Sequence, residues 1–261
     1  MNKNEQIKFI EENFPATTHH ISNRRVRHSI FTNIQTELQA YLLGFYTADG
    51  SIDEKRKTFR IELQKGDCEI VYLFKDIISP DARLYSTKER TFIGPRGKEI
   101  HAHGNIGIDI TSAELCNSLV KLNIGYRKSY NELHIPNIPT NLIRHFIRGY
   151  FDGDGCICGY IKHNKSRNSD SFVKQFDFTS KTVSLLTDIQ KFFAEHDIKI
   201  NLNYQKRDNL YRLRTCSKKE VVKIFDLLYS NSNFYLSRKF NKFNHYVNTE
   251  VTQLIAEYRN A

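Results

Sequence analysis

The sequence predicts an α+β protein made of two pseudo-symmetric αββαββα halves around a central two-helix interface. Three observations predict it. A nine-residue pattern is written twice, as LLGFYTADG at residues 42–50 and IRGYFDGDG at residues 147–155, with matched positions 154 − 49 = 105 residues apart. The same order of elements follows each copy: two alternating strands, a helix, two more strands and a helix. The strands set apolar residues on one face against long polar residues on the other, the pattern of a sheet packed on helices on one side only.

The chain opens with a short helix at residues 5–13, ended by Pro15 or the loop after it. The basic run NRRVRH at residues 23–28 is either a solvated loop or an arm that tracks phosphate. In the first copy of the pattern an apolar helical run carries small residues four apart, Gly44 and Ala48; in the second, Gly149 and Gly153 do the same. A small residue at every fourth position makes a smooth helix face, and two such faces let backbones pack closely. That packing would bring Asp49 and Asp154 together. Two carboxylates just past helix C-termini sit in an unfavourable dipole field and need a cation to offset their repulsion.

After the first motif, residues 51–65 read as a hairpin turning at 53–57, with Phe59, Ile61 and Leu63 opposite in face to Arg60, Glu62 and Gln64. A helix at 67–78 stops before Pro80. A strand at 82–88, a glycine-rich basic loop at 89–104, a strand at 105–110 and a helix at 112–122 complete the half. In the second half a linking helix from residue 140 runs into the motif, and a strand at 156–161 leads to a basic loop at 162–171. Phe176 and Phe178 then alternate with Gln175, Asp177 and Thr179. A helix at 182–196 follows, then a strand at 198–205 carrying Lys199, Asn201, Asn203 and Gln205 on its polar side. A strand with Arg212 and Arg214 and a helix at 218–229 close the half, and a terminal amphipathic helix carries Val251, Leu254, Ile255 and Tyr258. The chain therefore divides into an N-terminal extension (1–35), a first half (36–135), a second half (136–247) and a C-terminal helix (248–261).

Composition narrows the partner. The 261 residues carry a net charge of +10 and the sequence pI is near 9.3, which points to a polyanion. No apolar run approaches the roughly 20 residues of a spanning helix. The acidic N-terminus, with Glu5, Glu11 and Glu12, fits neither a secretory signal nor a transit peptide, so an intracellular, cytoplasmic protein is expected. The five cysteines fit no zinc or disulfide framework, and all read as reduced thiols. Cys156 and Cys158 alternate along a strand and are expected to be small apolar fillers.

The doubled pattern resembles LAGLIDADG, the signature of the homing endonucleases, and the resemblance runs from about residue 34 to residue 247. Position two is Leu43 or Arg148 and position six is Thr47 or Asp152, but the acid at position eight and the final glycine stand in both copies. The resemblance implies a single-chain saddle over double-stranded DNA. Asp49 and Asp154, with the main-chain carbonyls of Ala48 and Gly153, would hold Mg²⁺, an ion usually bound by one or two carboxylates plus substrate oxygens and waters. It also promotes Lys128 and Lys239, in the Arg-Lys pairs that follow each half's last helix, as catalytic residues beside the scissile phosphates. The other reading of these lysines is cationic capping of helix C-termini.

Outward strand residues recur at every second position, which suits reading base edges in the major groove. Arg60, Glu62, Gln64 and Arg83 would do so in the first half, and Gln175, Asp177, Lys199, Asn201, Asn203, Gln205, Arg212 and Arg214 in the second. The two sets differ, so the expected target is long and non-palindromic, bound by a monomer without an obligatory protein partner. A free-standing, site-specific, metal-dependent endonuclease cutting both strands is the leading expectation. A non-cleaving DNA-binding regulator or an RNA-splicing maturase on the same scaffold is the alternative.

Overall fold

Two helices run side by side through the centre of the molecule, α2 (Glu37–Asp49) and α5 (Thr140–Asp154), in a computed structural model that describes residues 1–19, 23–94, 97–126 and 132–260. Thr36 starts α2 with a capping box, its hydroxyl accepting from the Gln39 N–H while the Gln39 side chain returns to the Thr36 N–H. Every residue of α2 from Glu37 to Thr47 is buried, so the helix has no solvent face. The two smooth faces meet in backbone contact. A methyl group added at Gly44 would stand 1.9 Å from the Phe146 carbonyl oxygen, and one at Gly149 would stand 2.1 Å from that of Tyr41.

The glycines that end the motifs have another purpose. Gly50 and Gly155 have ordinary φ values of −72° and −75°, so no left-handed turn requires them. Instead the rings of Tyr46 and Phe151 fold back over the two positions and would lie 2.1 Å from an added Cβ in each case. The same rings carry the helix pair onto the sheets, Tyr46 stacking on Phe59 at 4.1 Å and Phe151 on Phe176 at 4.6 Å.

Each half contributes a four-stranded antiparallel sheet. The first contains β3 (Ser51–Asp53), β4 (Thr58–Gln64), β5 (Leu84–Ser86) and β8 (Asn105–Thr111), in the order β3-β4-β8-β5. The second contains β9 (Cys156–Asn164), β10 (Ser169–Ser180), β11 (Asn201–Gln205) and β12 (Leu210–Thr215), in the order β11-β12-β10-β9, so the two sheets match strand for strand. Helices α3 (Cys68–Ile78) and α4 (Ala113–Lys121) bury the inner face of the first, through Phe74, Ile77 and Leu115 among others. Helices α6 (Ser184–Glu195) and α7 (Lys218–Tyr229) do the same for the second. Among the described residues no helix is long and apolar enough to cross a membrane.

The structure departs from the sequence expectations in five places. Residues 89–104, expected to be a loop, contain a β-ribbon of β6 (Arg90–Ile93) and β7 (Glu99–Ala102). The basic loop expected at 162–171 is mostly strand, because β9 and β10 stay paired out to Asn164 and Ser169. A helix not anticipated, α8 (Ser237–Asn248), follows α7 and inserts Phe243 among Phe151, Phe176 and Phe225. Beyond it α9 (Val251–Asn260) lies on the β9–β10 hairpin, with Tyr258 against Phe172. The N-terminal basic run, after α1 (Lys3–Asn13), is neither loop nor free arm, since β2 (Arg25–Val26) pairs with β1 (Thr17–Thr18). Arg25 forms a bidentate ion pair with Asp81, and buried Arg27 donates to the Ile77 carbonyl at the end of α3. Finally, Cys156 is exposed and Cys158 half-buried, both opposite polar partners on β10 rather than in the core; all five thiols are free.

The helix seam makes a direct prediction. Gly44→Ala forces a methyl into a backbone carbonyl and should cost roughly 1–3 kcal/mol or more. Gly66→Ala, whose new methyl meets nothing within 4 Å, should stay within about 0.5 kcal/mol of wild type. Urea unfolding of the two variants measures the difference, and equal midpoints would refute backbone contact at Gly44.

Candidate active site and nucleic-acid face

The C-terminal ends of α2 and α5 set the two motif acids next to each other on the exposed side of the seam. A methyl on Gly153 would meet both the Ala48 Cβ, at 2.3 Å, and Asp49 Oδ2, at 2.7 Å, so the Asp49 carboxylate lies against the residue that precedes Asp154. Both acids are exposed, and both act electrostatically on Lys239 and Tyr150. Their surroundings are unlike. Asp49 opens on a polar cleft of about 360 Å³ shared with Glu62, Asp67 and Arg238, while Asp154 opens on one of about 220 Å³ lined by Tyr150, Ser180, Lys181 and Thr182. Among the described residues no group of three or more His, Cys, Asp or Glu side chains is arranged to hold a metal. The donors at the end of the seam are two hard carboxylates and nearby carbonyls, which suits an ion that completes its shell with water and substrate oxygens.

Lys239 is not a free cation. It projects from the first turn of α8 into the end of α5, where its ammonium donates to the carbonyls of Phe151 (2.6 Å), Gly153 (3.0 Å) and Gly155 (2.6 Å). An ammonium has three donors, and all three are used. Burial pushes its pKa down to about 8, against the opposite pull of Asp152, Asp49 and Asp154. These contacts are those of a cap on the end of α5, and they hold the backbone on either side of Asp154. Its neighbour Arg238 pairs with Asp67 through two hydrogen bonds, and Ser237 with Glu69, tying α8 to the first half. Lys128 lies outside the described residues.

Two motif positions carry a polar network that sequence reasoning missed: position two of the second copy, which departs from the signature, and position six, where Asp152 keeps the signature's acid. Arg148, at position two of the second copy, is fully buried. Its guanidinium donates to Glu37 Oε1 (2.7 Å), to the carbonyls of Phe234 and Leu228 (2.8 Å each) and to His145 Nδ1 (2.8 Å). Glu37 also accepts from the backbone and side-chain amides of Asn233 and from Gln6, so the start of α2, α5, α1 and the segment before α8 converge on one ion pair. Asp152, at position six, is buried too and accepts from Tyr229 Oη (2.6 Å), the Leu236 N–H (2.7 Å) and Tyr41 Oη (2.9 Å). Burial raises its carboxyl pKa, and those hydrogen bonds resist the rise. An arginine between the apolar Ile147 and the seam glycine Gly149 was the available signal, because a buried cation requires a partner.

The outward faces of the sheets carry the expected base-reading residues, largely paired with one another. Arg60 makes a bidentate pair with Asp109 across the strands (2.8 and 2.6 Å), and Glu62 accepts from Tyr85 (2.9 Å) and Asn105 (2.8 Å). Gln64 and Arg83 are exposed. In the second half Lys199, Asn201, Asn203 and Arg214 are exposed, and Gln205 and Arg212 half-buried. Asp177 does not reach outward as expected. It is 5% exposed, accepts from Gln175 (2.8 Å) and faces Arg212 Nε at 3.6 Å, so it orients its neighbours beneath the surface. Cys156 and Cys158 join this face opposite Asp177 and Gln175.

Two predictions follow from the buried polar groups. Lys239→Met takes the ammonium from three carbonyls, of which only that of Phe151 keeps another donor, the Gly155 N–H, and should destabilise the fold by about 1.5–3 kcal/mol or more; an unchanged thermal midpoint would contradict the cap. His145 is pushed down to about 3 by burial and by Arg148, whereas the unfolded chain titrates near 6.5. Between those values the unfolded state binds a proton that the folded state does not, so stability is lost as pH falls below about 6.5. Glu37, held below the usual carboxylate range, adds a loss of the same sign only near and below about 4.5. Between about pH 4.5 and 6.5 a His145→Gln variant should therefore lose less stability than wild type on acidification, and parallel curves would rule the effect out.

Comparison with known proteins bears on the fold. Residues 141–229 match the family model of the LAGLIDADG-like domain. No curated protein matches the chain. Among solved structures it is similar to the I-SmaMI LAGLIDADG homing endonuclease bound to cleaved DNA, at 13% identity and TM-score 0.56, covering 87% of this chain and 96% of that one. It is similar to the LAGLIDADG meganuclease I-AabMI bound to uncleaved DNA, at 13% identity and TM-score 0.55, over 87% and 97% of the two chains. For the meganuclease I-CpaMI bound to uncleaved DNA the values are 14% and 0.53, over 86% and 94%. The chain thus carries a LAGLIDADG-like domain at residues 141–229 and has, across both halves, the fold of the LAGLIDADG endonucleases.

Proposed function

We propose that the protein is a site-specific DNA endonuclease that makes a double-strand break at a long, non-palindromic site, acting as a monomer with a divalent cation. One observation carries this reading. Two carboxylates from two copies of one motif are held side by side at the end of a backbone-contact helix pair, between two sheets whose outer faces are polar. That I-SmaMI and I-AabMI have this fold and were solved on DNA supports it.

Phosphodiester hydrolysis needs an activated water, neutralised nonbridging oxygens and a stabilised leaving oxygen, all of which a carboxylate-held Mg²⁺ supplies when bound. Asp49 and Asp154 would hold it, with the carbonyls of Ala48 and Gly153 as further donors. Lys239 already donates to the Gly153 carbonyl, so that oxygen has one lone pair left for a metal. With one acid per half, each strand of the duplex meets one carboxylate. Arg60, Gln64, Arg83, Gln175, Lys199, Asn201, Asn203, Gln205, Arg212 and Arg214 supply base and phosphate contacts, with Glu62 and Asp177 orienting them.

Asp49→Asn and Asp154→Asn remove charge from the exposed end of the seam and leave the sheets untouched. Either should abolish double-strand cleavage of a target recovered from a randomised plasmid pool, while binding measured in Ca²⁺ persists within a few-fold. Chelation with EDTA should stop wild-type cleavage. Parental cutting of both strands by either variant would remove the acids from the mechanism, and cleavage unaffected by EDTA would remove the metal.

A further inference from the structure

The ribbon formed by β6 and β7 belongs to neither four-stranded sheet; its strands pair only with each other. It continues the β5–β8 pair outward, joined to it where the Thr87 N–H donates to the Asn105 carbonyl and the Asn105 N–H returns to Thr87 Oγ1, both at 2.9 Å. Its register sets Arg90 opposite Ala102, Phe92 opposite Ile100 and Ile93 opposite Glu99, and the Gly94 N–H closes the turn onto the Lys98 carbonyl. A two-stranded ribbon without a covering layer is marginal in water. This one also ends in uncovered apolar side chains. Ile93 is 78% exposed, more than any other large apolar residue described, and Phe92 is 42% exposed. Arg90, Lys98 and His101 lie on the ribbon and its turn and Lys88 and His103 at its base, against Glu89 and Glu99, and the Arg90 guanidinium lies over the Phe92 ring at 5.6 Å. The second half has no counterpart, since β11 and β12 are joined by a short turn at residues 206–209.

From this combination we infer that the ribbon is a wedge arm: it enters a groove of the duplex beyond the first half's sheet, sets its cations on phosphates and presses Ile93 and Phe92 against a base step. The inference rests on the DNA-binding reading above. A groove of B-DNA admits a two-stranded ribbon, and apolar side chains at the tips of basic elements are the residues that unstack base steps. The basic flanks select a polyanion over an apolar protein surface, and they keep the tip from self-association through like charge. The contact is one-sided, so the footprint is longer on the first half's side than on the other.

The test uses the full-length chain and a duplex recovered by selection from a randomised pool, lengthened by one helical turn (about 10 base pairs) on one side or the other. Only one of the two extensions should tighten wild-type binding, by roughly tenfold. On that duplex, Arg90→Ala with Lys98→Ala should lower the salt slope by about two, one per cation removed. A 2-aminopurine scanned through the added turn should brighten at one step with wild type and not with Phe92→Ser plus Ile93→Ser. All of these substitutions are on exposed positions, and unchanged melting temperatures confirm that the variants fold. Equal binding of all three duplexes by wild type, equal gains from both extensions, or a 2-aminopurine signal that persists in the double serine variant would overturn the wedge arm while leaving DNA binding intact. Recovery of no bound duplex from the pool would overturn both readings.

Discussion

The structure depends on one close approach, the backbone contact between α2 and α5 at Gly44 and Gly149. Helices separated by ordinary side chains stand 8–10 Å apart, and at that spacing the ends of the motifs would diverge. With small residues every fourth position, the pair can hold two like-charged carboxylates at one point, although both sit at the unfavourable end of a helix dipole. Burial of nearly the whole of α2 supplies the offsetting free energy. The rings of Tyr46 and Phe151 then fix where each sheet begins relative to its acid. The position of the motif acids and the position of both sheets are thereby set by the same few residues.

The cations divide by burial rather than by sequence order. Arg27, Arg148 and Lys239 are all buried and bound to backbone carbonyls at helix ends or before α8. Each takes up carbonyl groups that a helix leaves unsatisfied. Arg90, Lys98, Lys199 and Arg214 are exposed and extend the positive field that the net charge of +10 implies. A basic composition therefore does not mean that every cation faces a polyanion.

Much of the architecture was legible because two periodicities were repeated. The alternation of Phe59, Ile61 and Leu63, and of Phe176 and Phe178, gave the sheets their inner faces, and the paired small residues gave the helix seam. The ribbon at residues 90–102 was hidden because its apolar residues are not buried, so no alternation of inside and outside marks it. Helix α8 was hidden by its composition: only Lys239 and Phe243 are fully buried along it, and a buried lysine reads as a surface residue in any hydropathy pattern. The motif acids were legible from the repeat alone. The cap made by Lys239 was not, since capping and phosphate binding ask for the same residue type at the same place, and the three carbonyls around its ammonium come together only in the fold.

The two copies of the motif are alike in backbone and unlike in the groups that lock them. Offset by 105 residues, Arg148 corresponds to Leu43, Asp152 to Thr47, and Glu37 to Leu142. The lock is thus a plug on one half and a socket on the other. Two first halves brought together would bury two Glu37 carboxylates with no arginine, and two second halves would bury two Arg148 guanidinium groups without the Glu37 carboxylate they donate to, each at a cost of several kcal/mol. Any chimera that exchanges one half must carry the matching member of the Glu37–Arg148 pair with it.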